Sequence, residues 1–158
     1  MKSLFRLVTF AVTLWLMHPA FAATGTTPDS KTIVFVCLHG VANSQVAAAH
    51  FNRIAGERGL PYTAIARGIS VDTPVPTRIR DGLSLDGLDP TDPRPLTPAD
   101  AVAAFKVVAF DPVPDEQRGA AEVNYWSDVP LAIKDYEASR DAIVSHIDRF
   151  VPALEKRE

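Results

Sequence analysis

The chain has a single cysteine, Cys37, in 158 residues. An internal disulfide framework and a four-thiolate zinc site are therefore excluded. An excess of positive charge is also missing: 16 lysines and arginines stand against 19 aspartates and glutamates, a net charge of −3. Nucleic acid is a poor partner for such a surface. No internal repeat or low-complexity tract occurs. With 47% hydrophobic and 22% charged residues, the disordered, collagen-like and coiled-coil classes are out, and the length predicts one domain. The apolar run from Leu7 to Met17 is shorter than the roughly 20 residues that span a bilayer.

That run has the form of a secretory signal. Lys2 and Arg6 precede it, Pro19 breaks it, and Ala20-Phe21-Ala22 is an A-x-A cleavage site. Residues 1–22 are expected to be a signal peptide, 23–31 a polar leader and 32–155 the folded domain. Cleavage removes two basic residues and no acid, leaving 14 basic and 19 acidic side chains and a net charge of −5. No stable membrane span is expected after cleavage. With a bacterial origin assumed, the product is periplasmic or secreted. A free thiol is unusual in an oxidising compartment, so Cys37 calls for an explanation.

Residues 32–36 form a continuous, β-branched apolar run, as in a strand buried on both faces of a parallel sheet. Residues 37–43 read as a short loop, with Ser44 as the N-cap of a helix to about residue 55. Further strands are expected at 62–66, 106–110 and, more weakly, 122–126. Helices are expected at 78–85, from Thr97-Pro98 to 105 with proline at the first helical position, and at 135–154. The last carries an apolar stripe of Ile143, Ile147, Val151 and Leu154, with Val144 and Phe150 beside it. Strands separated by helices predict an α/β three-layer sandwich: about four parallel strands with helices on both faces. Ligands of such sheets bind at the carboxyl ends of the strands. The loop after the first strand lies there.

That loop reads Cys37-Leu38-His39-Gly40-Val41-Ala42-Asn43-Ser44. Strand, compact loop and helix start together point backbone N–H groups and a helix dipole at one place, which favours an anion. The same field favours a thiolate over a thiol. A thiolate under a bound tetrahedral oxyanion is placed for in-line attack.

The segment resembles the low molecular weight protein tyrosine phosphatases and the arsenate reductases of the same fold. In them the first strand ends in cysteine, then five residues, then arginine and serine or threonine. Here the cysteine, the spacing and Ser44 are present, and Asn43 stands at the arginine position. The likeness continues through Ala66-Arg67-Gly68-Ile69, Gly87-Leu88-Asp89, Arg94 to Asp100 and Trp126-Ser127-Asp128-Val129-Pro130. It covers about residues 31–155.

The resemblance implies that Cys37 is the nucleophile of a phosphocysteine intermediate and that Ser44 hydrogen-bonds its thiolate. Asp128 is then the acid that protonates the leaving oxygen, with Asp111 as the alternative. Leu38, His39, Gly40, Val41, Ala42 and Asn43 would form the oxyanion loop, with His39 or Arg67 supplying the missing cation. An arginine grips two oxyanion oxygens through a rigid fork that asparagine lacks. By analogy with arginine fingers, its loss costs on the order of 10³–10⁵ in rate. Tyr125 and Trp126, beside a strand, are read as core, with an aromatic-substrate wall as the other reading.

A disulfide cascade of the arsenate reductase kind is excluded by the single cysteine. His39, His50 and His146 have no metal-ligand spacing, so neither a metal nor a cofactor is expected. Two function classes stay open: an exported cysteine-dependent phosphomonoesterase, and a pseudophosphatase. The ligand in either case is phosphate or a similar oxyanion, free or on a small molecule or protein. A redox-sensitive thiol protein is a third reading.

Overall fold

The run Thr32 to Val36 lies at the centre of the molecule, in a strand whose first paired residue is Lys31. The Lys31 N–H is held by the Pro61 carbonyl at 2.9 Å. The strand thus takes its first residue from the expected polar leader. The computed structural model describes residues 31–156; the expected signal peptide and leader residues 23–30 lie outside them. In chain order the elements begin with β1 (Lys31–Cys37), α1 (Asn43–Glu57), β2 (Tyr62–Gly68), α2 (Thr77–Leu85) and α3 (Pro98–Ala103). They continue with β3 (Lys106–Ala109), α4 (Asp115–Arg118), β4 (Val123–Tyr125) and α5 (Tyr136–Glu155).

The four strands form one parallel sheet in the order β2-β1-β3-β4. Successive side chains of a strand point to opposite faces. Accordingly Ile33 and Phe35 join the core formed with α1, α2 and α5, whereas Val34 and Val36 join a smaller core with Leu96, Ala101 and Val113 near α3. Both sets are fully buried, each side chain contributing about 1.5–3 kcal/mol. This is the expected three-layer α/β arrangement. Phe35 sits at the hub of the larger core, 5.9 Å from the Phe51 ring and 5.6 Å from Trp126. Trp126 is core, as read, whereas Tyr125 is exposed.

The helix boundaries have local causes. In α3, the Thr97 hydroxyl accepts from the Asp100 N–H at 3.1 Å and the Asp100 carboxylate accepts from the Thr97 N–H at 3.3 Å, a reciprocal cap. Replacing Thr97 by alanine is expected to lower stability by about 1 kcal/mol; an unshifted urea midpoint would contradict this. The helix stops at Ala103 rather than residue 105 because the Phe105 N–H is taken by the Thr32 carbonyl. The stripe Ile143, Ile147, Val151 and Leu154 is buried along α5. Ser44 is not the N-cap of α1. The helix starts two residues earlier than that cap implies, Ala42 occupies the cap without a side-chain bond, and Ser44 lies in the first turn. The single turn α4 has no counterpart in the sequence reading. No helix among the described residues is long and apolar enough to cross a membrane.

Candidate active site

The loop between β1 and α1 is fixed by its carbonyls. Those of Cys37, Leu38 and His39 accept from the N–H groups of Ile69, Ser70 and Asp72 at 3.2, 2.7 and 3.1 Å. The Gly40 carbonyl accepts from Gln45 Nε2 at 2.9 Å, and Gln45 Oε1 in turn accepts from the Thr91 N–H. Buried Gln45, unremarked in the sequence, is thus a strut for the loop. The Leu38 N–H turns toward β3, where Asp111 Oδ2 accepts it at 2.8 Å.

Cys37 ends β1 with its Sγ 3.1 Å from Ser44 Oγ. The thiol is buried, yet it borders a cavity of about 430 Å³. The loop side of this cavity is Cys37, Leu38, His39, Val41, Ala42 and Asn43; the facing wall is Asp72, Pro76, Asp111, Leu131 and Ile133. Gly40 is set behind, its backbone against Gly68. Among the described residues no lysine or arginine lines this cavity. His39 meets the Asp72 carboxylate at 3.1 Å and the Ser70 carbonyl at 3.2 Å. The loop that sequence patterns assign to an oxyanion therefore faces two carboxylates and one imidazole. Asp72, Pro76, Leu131 and Ile133 were not singled out from the sequence. Only their position in loops beyond β2 and β4, at the carboxyl edge of a parallel sheet, could have drawn attention to them.

Three expected site residues are placed elsewhere or are otherwise engaged. Asn43 borders the cavity, but its side-chain amide donates to the Pro130 carbonyl at 3.0 Å and its oxygen accepts from the Ala132 N–H at 2.8 Å. Both polar ends are committed to the segment after β4. Arg67 is not brought to the loop. Side chains alternate along β2, and its guanidinium pairs with Asp100 at 3.1 Å and bonds the Ala66 carbonyl, beside a different cavity. Burial works against the Asp100 charge, but the bonds from Arg67 and Thr97 outweigh it and hold its carboxyl below the usual range.

Asp128 does not line the cavity either; its carboxylate lies 3.0 Å from His146 Nε2 on α5. That bond holds the Asp128 carboxyl below the usual carboxylate range, the direction opposite to what a general acid needs. Val129, between Asp128 and Pro130, is itself buried and anchors this stretch to the core. Asp111, the alternative acid, does border the thiol's cavity, as does Asp72.

A larger cavity, of about 580 Å³, lies on the α1–α5 face beside His50, Arg53, Asp86 and Arg140. Asp86 accepts from Tyr136 at 2.7 Å and from Arg140 at 3.3 Å, and Arg53 bonds the His50 ring at 3.0 Å. Burial, then the Arg53 charge, lowers the His50 pKa. This network ties α1 and α5 to the end of α2. Among the described residues no group of three or more His, Cys, Asp or Glu side chains is placed to hold a metal ion.

No family model and no curated protein matches the sequence. Solved structures do match. YfkJ from Bacillus subtilis superposes with a TM-score of 0.71 at 18% identity, over 81% of this chain and 96% of that one. A low molecular weight protein tyrosine phosphatase from Bacillus subtilis gives 0.68 at 20% identity, over 79% and 97%. The thioredoxin-dependent arsenate reductase of Corynebacterium glutamicum gives 0.65 at 18%, over 83% and 65%. The chain has the fold that low molecular weight protein tyrosine phosphatases share with this arsenate reductase.

Proposed function

We propose that this protein is an exported pseudophosphatase: a phosphatase-like domain whose Cys37 loop binds its ligand without efficient phosphomonoester turnover. The observation that carries this reading is the commitment of Asn43. A phosphoryl group in transfer carries charge on three equatorial oxygens, and its stabilisation is chiefly electrostatic. Asn43 gives both its polar ends to Pro130 and Ala132, Arg67 serves Asp100, and His39 is matched by Asp72. Among the described residues, the cavity lining holds no lysine or arginine to meet that charge.

A second reading, a working phosphomonoesterase, draws on the 3.1 Å contact between Cys37 Sγ and Ser44 Oγ and on Asp111 in the same cavity. In it, the thiolate sulfur bonds to phosphorus as the ester P–O bond breaks. The leaving oxygen takes a proton from the Asp111 carboxyl, and water then cleaves the phosphocysteine. Hydrolysis of p-nitrophenyl phosphate from acid to neutral pH, beside a Cys37→Ser control, separates the two. The expected result is turnover of the parent at the level of the control. Clear turnover that vanishes in Cys37→Ser would replace the binding reading by the enzymatic one.

A further inference from the structure

The Leu38 N–H is the first loop amide after the nucleophile position, and it is already occupied. Asp111, at the carboxyl end of the neighbouring strand, reaches across and accepts from it at 2.8 Å. A carboxylate oxygen thus holds the spot at which an incoming anion's oxygen would bond the loop. Its charge faces the same cavity as the thiol, and among the described residues no lysine or arginine lines that cavity. Asp72, the second carboxylate there, lies against His39. The rest of the mouth is apolar: Leu38, Leu131 and Ile133 are 43%, 49% and 43% exposed, and all three border the cavity. Exposed large apolar side chains converging on one opening mark a surface that an apolar group covers.

We propose that Asp111 is a specificity-determining residue of the Cys37 site. It acts as the loop's built-in anion, so that the site rejects negatively charged ligands. It admits instead a group that is uncharged where it meets the thiol, carried on an apolar body that rests on Leu38, Leu131 and Ile133. This deepens the binding reading above and rests on it, since an efficient phosphatase has to admit a phosphate dianion. The physical warrant is that a fixed charge on the wall of a largely apolar cavity is less screened than one in bulk water. It raises the cost of bringing a second like charge there and leaves a neutral ligand unaffected.

The single cysteine makes the test direct, because alkylation of the intact protein reads one sulfur. Iodoacetamide and iodoacetate deliver the same carbon to that sulfur with loss of iodide, one neutral and the other anionic. Their rate ratio at Cys37 is compared with the ratio at glutathione, which removes intrinsic reactivity. The ratio is expected to favour iodoacetamide by about tenfold or more beyond the free thiol, the scale of one nearby charge. Asp111→Asn keeps the side chain's size and is expected to bring the ratio back toward the free-thiol value. Asp72→Asn, whose carboxylate meets the His39 ring rather than a loop amide, should move it less. Inorganic phosphate should protect Cys37 from iodoacetamide in Asp111→Asn and not in the parent.

A parent ratio at or below that of glutathione overturns the proposal, even if Asp111→Asn fails to fold. So does an unchanged ratio in a folded Asp111→Asn protein, or phosphate protection of the parent. Turnover of p-nitrophenyl phosphate would overturn both proposals, whereas a parent ratio like that of glutathione in a protein without turnover overturns this one alone.

Discussion

Gly40→Ala is expected to lower stability by about 2–5 kcal/mol, from two separate causes. Gly40 has a φ of +68°, which costs a residue with a Cβ roughly 1–2 kcal/mol. Its Cβ would also stand 2.9 Å from the Gly68 nitrogen and 3.0 Å from the Gly68 Cα. Overpacking of this kind costs roughly 1–3 kcal/mol, and here the obstacle is main chain that cannot rotate away. Gly68 is pinned in turn, its N–H to the Arg94 carbonyl and its carbonyl to the Leu96 N–H. The strain therefore passes to the loop and opens the contact between Cys37 and Ser44. Gly56→Ala is the control: a Cβ there meets nothing within 4 Å, and it should stabilise α1 by about 0.5–1 kcal/mol. Urea denaturation of both variants checks the pair. Equal midpoints for Gly40→Ala and the parent would show that the loop has room the structure does not give it.

Elements that bury themselves by local pattern were readable from the sequence. A β-branched run with no polar break, such as Thr32 to Val36, has few options besides a central strand. The Ile143–Leu154 stripe has one face to bury and buries it. Thr97-Pro98 with Asp100 three residues on carries its own cap. The loop's place at the sheet's carboxyl edge also followed from the chain, and the adjacency of Cys37 and Ser44 from the family resemblance. What did not follow are the pairings made across it. Asn43 finds partners 87 and 89 residues away; Asp111 meets an amide 73 residues before it. Arg67 was a candidate for the loop because of its place at the end of β2. A side chain one step along a strand points to the opposite face, and Asp100, not the loop, lay on that side. Asp128 lost its expected role to a histidine on α5. Such choices depend on which groups the finished fold brings within 3 Å, and spacing along the chain carries no record of them.

Asn43→Ala is expected to cost about 2–4 kcal/mol, because one side chain satisfies two main-chain groups. Of the two, the Ala132 N–H is the more costly to abandon. Ala132 is fully buried, and a buried amide left without an acceptor loses about 1–3 kcal/mol. The Pro130 carbonyl belongs to an exposed residue, so water can replace part of that bond. The melting temperature should fall by roughly 10 °C, and hydrogen exchange at the Ala132 amide should quicken before global unfolding. An unchanged melting point with Ala132 still protected would mean that the asparagine ties nothing. The same bookkeeping governs Asn43→Arg. A guanidinium has five donors and no acceptor, so it leaves the Ala132 N–H as orphaned as alanine does. Arginine at this position can grip an oxyanion only if the segment after β4 is tied down by some other group. The asparagine that stands where the resemblance places an arginine is therefore also the residue that ties down Pro130 and Ala132, on either side of Leu131, which walls the thiol's cavity. Position 43 bonds the wall, and in the proposed pseudophosphatase it does so in place of a ligand. That arrangement fits a loop selected to hold a fixed shape around Cys37 more closely than one selected to stabilise a transferring phosphoryl group.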